Sequence, residues 1–106
     1  MVNRGEIWLA ALDPTVGSEI QKTRPCLIVS PPEMHGHLRA AIVAPMTTGA
    51  RPAGSRVALS FKGKRGLVLL DQIRAIDKQR LVKRLGKASD ATLASVLAGL
   101  REAFED

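Results

Sequence analysis

Proline and glycine cut the first two-thirds of this chain into apolar runs too short to be helices, and the cutting stops before a last amphipathic stretch. Glu6-Ile7-Trp8-Leu9-Ala10 reads as a strand, closed by Asp13-Pro14 and the loop Thr15-Val16-Gly17-Ser18-Glu19. Pro25 to Ser30 reads as a buried strand stopped by Pro31-Pro32, and Ala40 to Ala44 as a third ended by Pro45. Val57 to Phe61 alternates, then a turn over Lys62-Gly63-Lys64-Arg65-Gly66 leads to Leu67 to Leu70, a strand continuing toward Ile76. Asp77 to Leu81 forms one helical turn ahead of a strand at Val82 to Leu85. Ser89 or Asp90 then caps a helix on which Leu93, Val96, Leu97, Leu100 and Phe104 share one face. The expected fold is α+β, mainly β: a small, partly open barrel with a C-terminal helix. No repeat or linker interrupts the chain, so residues 1–106 are expected to form a single domain.

Only three aromatic residues, Trp8, Phe61 and Phe104, are available to the core. A domain this small and lean often gains stability by oligomerising, which is a first hint of a dimer. Cys26 is the single cysteine, so an intramolecular disulfide and a cysteine-rich zinc site are both excluded. Within Pro25-Cys26-Leu27-Ile28-Val29 it reads as a small buried hydrophobe. No apolar run approaches membrane-spanning length, and the first residues lack the apolar core of a signal peptide, so a cytoplasmic protein is expected.

The net charge of +6 is unevenly spread. Arg56 to Lys87 holds ten basic residues against Asp71 and Asp77, whereas Ala88 to Asp106 holds four acids against Arg101. A basic middle suits a polyanion, and phosphate contact is the sequence-independent part of nucleic-acid binding. It is equally what a solvated basic face looks like. No phosphate-binding glycine loop, His-Glu-x-x-His or close carboxylate cluster is present, so neither a metal nor a cofactor is expected.

The candidate chemical groups are therefore few. His35 and His37 lie in the polar segment Glu33-Met34-His35-Gly36-His37, where they serve as acid and base or are simply solvated. Arg24 stands just before one buried strand, and Thr47-Thr48 follow another. If those strands are neighbours, guanidinium and hydroxyl converge at one rim and suit the charge of a pentacoordinate phosphorane. The competing reading is an arginine that closes a loop and a threonine that caps a turn.

At these residues the sequence resembles the MazF/PemK family of toxin endoribonucleases. Arg4-Gly5-Glu6-Ile7-Trp8 with Leu12 to Glu19 is similar to the family's opening, and Thr23-Arg24-Pro25-Cys26-Leu27-Ile28-Val29-Ser30 to its Arg-Pro strand. Ile42-Val43-Ala44-Pro45-Met46-Thr47-Thr48 resembles the strand ending in its functional threonine, and Leu70 to Leu81 its downstream Asp71-Gln72-Ile73-Arg74 block. The resemblance implies an SH3-like barrel with a C-terminal helix, a homodimer, metal-free cleavage of single-stranded RNA, and inhibition by a cognate antitoxin. It places Arg24 and Thr47 at the catalytic positions, with Glu19, Thr48, Gln72 and Arg74 as RNA-binding or supporting residues. One departure is Ile20-Gln21-Lys22-Thr23, where many relatives carry Gln and Gly, so a stiffer loop is expected.

The implied reaction is attack of the substrate's 2′-OH on the adjacent phosphate, leaving a 2′,3′-cyclic phosphate and a 5′-OH. Arg24 and Thr47 stabilise charge in it. The proton acceptor is left to Glu19 or the histidines, because arginine is a poor base near neutrality. Two readings stand beside it: a non-catalytic toxin on the same barrel that binds a protein such as gyrase, and a module that binds nucleic acid without cutting it.

Overall fold

The structure, a computed structural model, describes residues 2–12, 22–35, 39–49, 51 and 53–106. Its strands are β1 (Glu6–Ala11), β2 (Thr23–Ile28), β3 (Ala40–Thr47), β4 (Arg56–Phe61), β5 (Lys64–Leu69), β6 (Arg74–Asp77) and β7 (Leu81–Lys87), followed by helix α1 (Asp90–Ala103). They lie in the order β4-β5-β3-β2-β1-β7, with β6 paired to β3. The sheet curls until its outer strands meet through side chains. The Phe61 ring of β4 lies against Gly86 of β7, where an added Cβ would stand 3.0 Å from the ring. The result is the expected mainly-β half-barrel with one terminal helix.

β1, β2 and β3 are buried on both faces, which is why their sequences run apolar instead of alternating. Ile7, Leu27, Ala44 and Met46 belong to a core completed by Val68, Leu70 and Val96. The intervening Ala10, Cys26, Ile28 and Val43 form a second cluster with Leu12 and Ile76. Helix α1 begins where Ser89 Oγ accepts the Thr92 N–H at 3.1 Å, and it buries Val96 completely. Its apolar stripe is one residue shorter than expected. Phe104 is the C-cap, past the helix body, and is 77% exposed.

Several strand boundaries differ from expectation. β2 runs from Thr23 to Ile28, so Arg24 lies inside the strand and not ahead of it. β3 runs through Pro45 to Thr47 instead of stopping there. Along its edge, Ala40 to Val43 pair with β6 and Met46-Thr47 pair with β5. Pro45 falls in the gap between them, so its missing N–H breaks no ladder bond on that edge. The turn between β4 and β5 is only Lys62-Gly63, both at positive φ (50° and 77°), with Phe61 opposite Lys64. That is the two-residue hairpin whose twist matches its strands, and it leaves Lys64 to Gly66 inside β5. Finally, β5 does not continue toward Ile76. A 3₁₀ turn at Leu70–Gln72 moves the chain along β3, where β6 pairs.

The start of β1 is tied to β7 by Glu6. Its carboxylate accepts from Asn3 N at 2.8 Å, Trp8 Nε1 at 3.1 Å and Arg84 Nε at 3.0 Å. Burial raises its pKa, but these donors and the Arg84 charge outweigh burial and hold it below the usual 4.5. A carboxyl depressed on folding stabilises the protein above its unfolded pKa and loses that contribution as pH falls through the folded value. Thermal melts should therefore show Glu6→Gln less stable than wild type at pH 7, with the gap closing as the pH falls through the depressed folded value. A gap independent of pH would place the effect in packing. Among the described residues, no helix is long and apolar enough to cross a membrane.

Candidate active site

The register of β2 against β3 sets Cys26 opposite Pro45 and Ile28 opposite Val43. The paired stretch ends at Cys26 and Pro45, and Arg24 and Thr47 lie two residues beyond that last pair on their respective strands. Both residues line one cavity of about 410 Å³ where the edges of the sheet approach each other. That volume lies within the range typical of ligand pockets. Lys62, Lys64 and Arg65 also line it, and none of its described lining residues is acidic. Pro25, Met46, Leu59, Phe61 and Leu85 supply its apolar surface.

Thr47 is held in a way that suits donation. Its Oγ1 accepts the Gly49 N–H at 3.2 Å, which occupies a lone pair and leaves the hydroxyl proton to give away. Behind it, β5 approaches the Thr47 backbone at Gly66, where a Cβ would sit 2.9 Å from the Thr47 carbonyl oxygen. Gly66 therefore acts as a spacer for Thr47 and is not part of a turn. On the other strand, Lys22 sits at φ 72° two residues before Arg24, and its carbonyl accepts the Leu12 N–H at 3.0 Å. That left-handed conformation costs on the order of 1 kcal/mol for a lysine.

The other sequence candidates fall at different distances from this pair. Thr48 is exposed and lines the cavity. Arg74, opposite Val43, and Arg24 both favour the charged form of the Cys26 thiol through their charge. Burial nevertheless pushes the thiol up to about 12, and Cys26 is inert there, as its apolar setting suggested. Gln72 ends the 3₁₀ turn after β5, outside the cavity lining. Glu19 and His37 lie outside the described residues.

His35 is not a solvated loop residue. It is 5% exposed, with Nδ1 2.8 Å from the Val2 carbonyl and Nε2 2.6 Å from Ser30 Oγ. A carbonyl can only accept, so Nδ1 donates to Val2, while Nε2 is hydrogen-bonded to the Ser30 hydroxyl. Ser30 Oγ in turn accepts the Ile42 N–H at 3.0 Å. The ring is consumed in tying the N-terminal segment to β3, away from the Arg24–Thr47 cavity. His35→Ala should therefore lower stability by about 2 kcal/mol in chemical denaturation, because it strands buried polar groups, while leaving cleavage per folded molecule unchanged.

Sequence reading missed the contribution of the β4–β5 hairpin, which brings Phe61, Lys62, Lys64 and Arg65 to the cavity. The signal was present in the cluster of bases around Gly63, but a turn at solvent and a turn at a site look alike locally. Among the described residues, no three His, Cys, Asp or Glu side chains gather as a metal site would require.

A family described as the PemK-like, MazF-like toxin of type II toxin-antitoxin systems matches residues 3–104. The chain is 46% identical over 105 residues to the endoribonuclease PemK of Escherichia coli, covering 93% of this chain and 79% of that protein. Its fold is similar to the crystal structure of MazF from Deinococcus radiodurans, with a TM-score of 0.86, 28% identity and coverage of 96% and 94% of the two chains. It is also similar to an endoribonuclease from a mycobacterial species in complex with its cognate antitoxin, with a TM-score of 0.81, 25% identity and coverage of 97% and 94%.

Proposed function

The chain belongs to the PemK-like, MazF-like toxin family of type II toxin–antitoxin systems, and we propose that it is a growth-inhibiting endoribonuclease that cuts single-stranded RNA at short sequence motifs. The observation that carries this reading is the single cavity lined by Arg24, Thr47 and further cations, without an acid among its described lining residues. Such a cavity suits an anionic phosphodiester.

In the proposed reaction the 2′-oxygen forms a bond to phosphorus while the bond to the 5′-oxygen breaks. The 2′ proton passes to a base, and the leaving oxygen takes one up as a 5′-OH. Arg24 neutralises charge on the phosphorane, and the Thr47 hydroxyl proton donates to a non-bridging oxygen. The nucleophile comes from the substrate, so no metal ion is needed to generate it. With His35 consumed in its clasp, Glu19 and His37 are the bases that the sequence still offers for the proton.

Thr48, Arg74 and Gln72 would support the bound RNA along the same side. The partners of this reading are single-stranded RNA, a cognate antitoxin whose tail covers the cavity, and a second copy of the chain; the compartment is the cytoplasm. Incubating the purified protein with a defined RNA in EDTA tests it. Fragments ending in 2′,3′-cyclic phosphate and 5′-OH are expected, and a 2′-deoxy substitution at the scissile ribose should block them. RNA retained without scission, or DNA breaks that depend on gyrase, would overturn the reading.

A further inference from the structure

The cavity is larger and more apolar than a phosphate alone requires. Besides Arg24 and Thr47 its lining includes the apolar Leu59, Phe61 and Leu85 together with Lys62 and Lys64, which are exposed. Phe61 packs closely on β7 because Gly86 has no Cβ: the ring edge lies only 3.0 Å from where that atom would be. Lys62 Nζ stands 5.6 Å from the ring centroid, over one face of the ring, and both residues line the cavity. An aromatic face, aliphatic walls and a rim of ammonium groups match the two halves of a nucleotide. The base offers flat apolar faces, and the phosphates carry the charge.

We infer that this extension is a base subsite, in which the base of a nucleotide flanking the scissile phosphate stacks on Phe61 while Lys62 leaves the ring for a phosphate oxygen. The inference rests on the endoribonuclease reading above and adds a specificity-determining residue to it. Replacing one occupant of the ring by the other is favourable, because an exposed cation over phenylalanine is worth less than a stacked base. Gly86 positions the ring. Its alanine variant would require the Phe61 ring to give way by a few tenths of an ångström.

The test uses a synthetic RNA oligonucleotide spanning a cut site mapped on a digested transcript, together with a series carrying one abasic nucleotide at each position. For the wild-type protein, an abasic nucleotide at one position beside the cut should lower kcat/KM about ten- to a hundredfold. Phe61→Leu, which keeps apolar bulk, should lose about the same factor on intact RNA and lose nothing further on that abasic substrate. Phe61→Trp should retain both the activity and the sensitivity. Losses that multiply at every position, or Phe61→Leu cutting intact RNA as wild type does, would overturn the subsite. Normal cleavage by Arg24→Ala would instead overturn the assignment of the site on which it depends.

Discussion

Replacing Arg24 with alanine is expected to lower the cleavage rate on purified RNA roughly a hundredfold or more, the usual consequence of removing one preorganised donor from a developing oxyanion. The side chain is half-buried at the end of β2, outside both hydrophobic clusters, so the fold should stand. Circular dichroism and the thermal midpoint should stay close to wild type. The loss should fall mainly in kcat, because the extra charge on the phosphorane exists only in the transition state. Arg24→Lys should recover only part of the rate, since an ammonium keeps the charge but lacks the two-pronged geometry that fits phosphate oxygens. A variant lacking the guanidinium that still cut RNA at near wild-type rate would remove Arg24 from the chemistry.

The second large effect is expected at a residue that offers the substrate no side chain. Gly66→Val places a branched side chain where even a Cβ would lie 2.9 Å from the Thr47 carbonyl oxygen, so backbone must move on β3 or β5. A displacement of about 1 Å at a catalytic hydroxyl can cost on the order of a hundredfold in rate. The discriminating measurement is a cycle with Thr47→Ala. If Gly66 acts by placing that hydroxyl, the double variant should cleave no more slowly than the slower single variant. Independent, multiplying losses would show that Gly66 matters for the stability of the sheet and not for the position of Thr47.

Much of the fold was legible because it is written locally. Runs of Ile, Leu and Val between prolines and glycines gave most strands to within a few residues, and Ser89 with the Leu93–Leu100 spacing gave the helix. Errors arose where a residue's usual local meaning was overridden by its neighbours across the sheet. Pro45 looked like a stop, yet the gap between β6 and β5 along one edge of β3 accommodates it. Gly66 looked like the end of a turn, yet Lys62-Gly63 complete that turn alone. His35 looked like an exposed loop base, yet Ser30 and Val2, brought from other parts of the chain, enclose it.

The candidate site divides in the same way. From the residues alone, Arg24 and Thr47 were two polar groups at strand ends, and the resemblance of four collinear segments singled them out. By itself the sequence determined the order of elements, the basic middle and the family, because each depends on residues close together in the chain. Only the tertiary structure decided that β2 and β3 are neighbours whose ends bring Arg24 and Thr47 to one cavity. It alone made Gly66 a spacer and brought β4 against β7, so that Phe61 and the hairpin lysines wall the cavity. Those contacts join residues some twenty or more positions apart, and their geometry depends on how far the sheet curls, which no local pattern encodes.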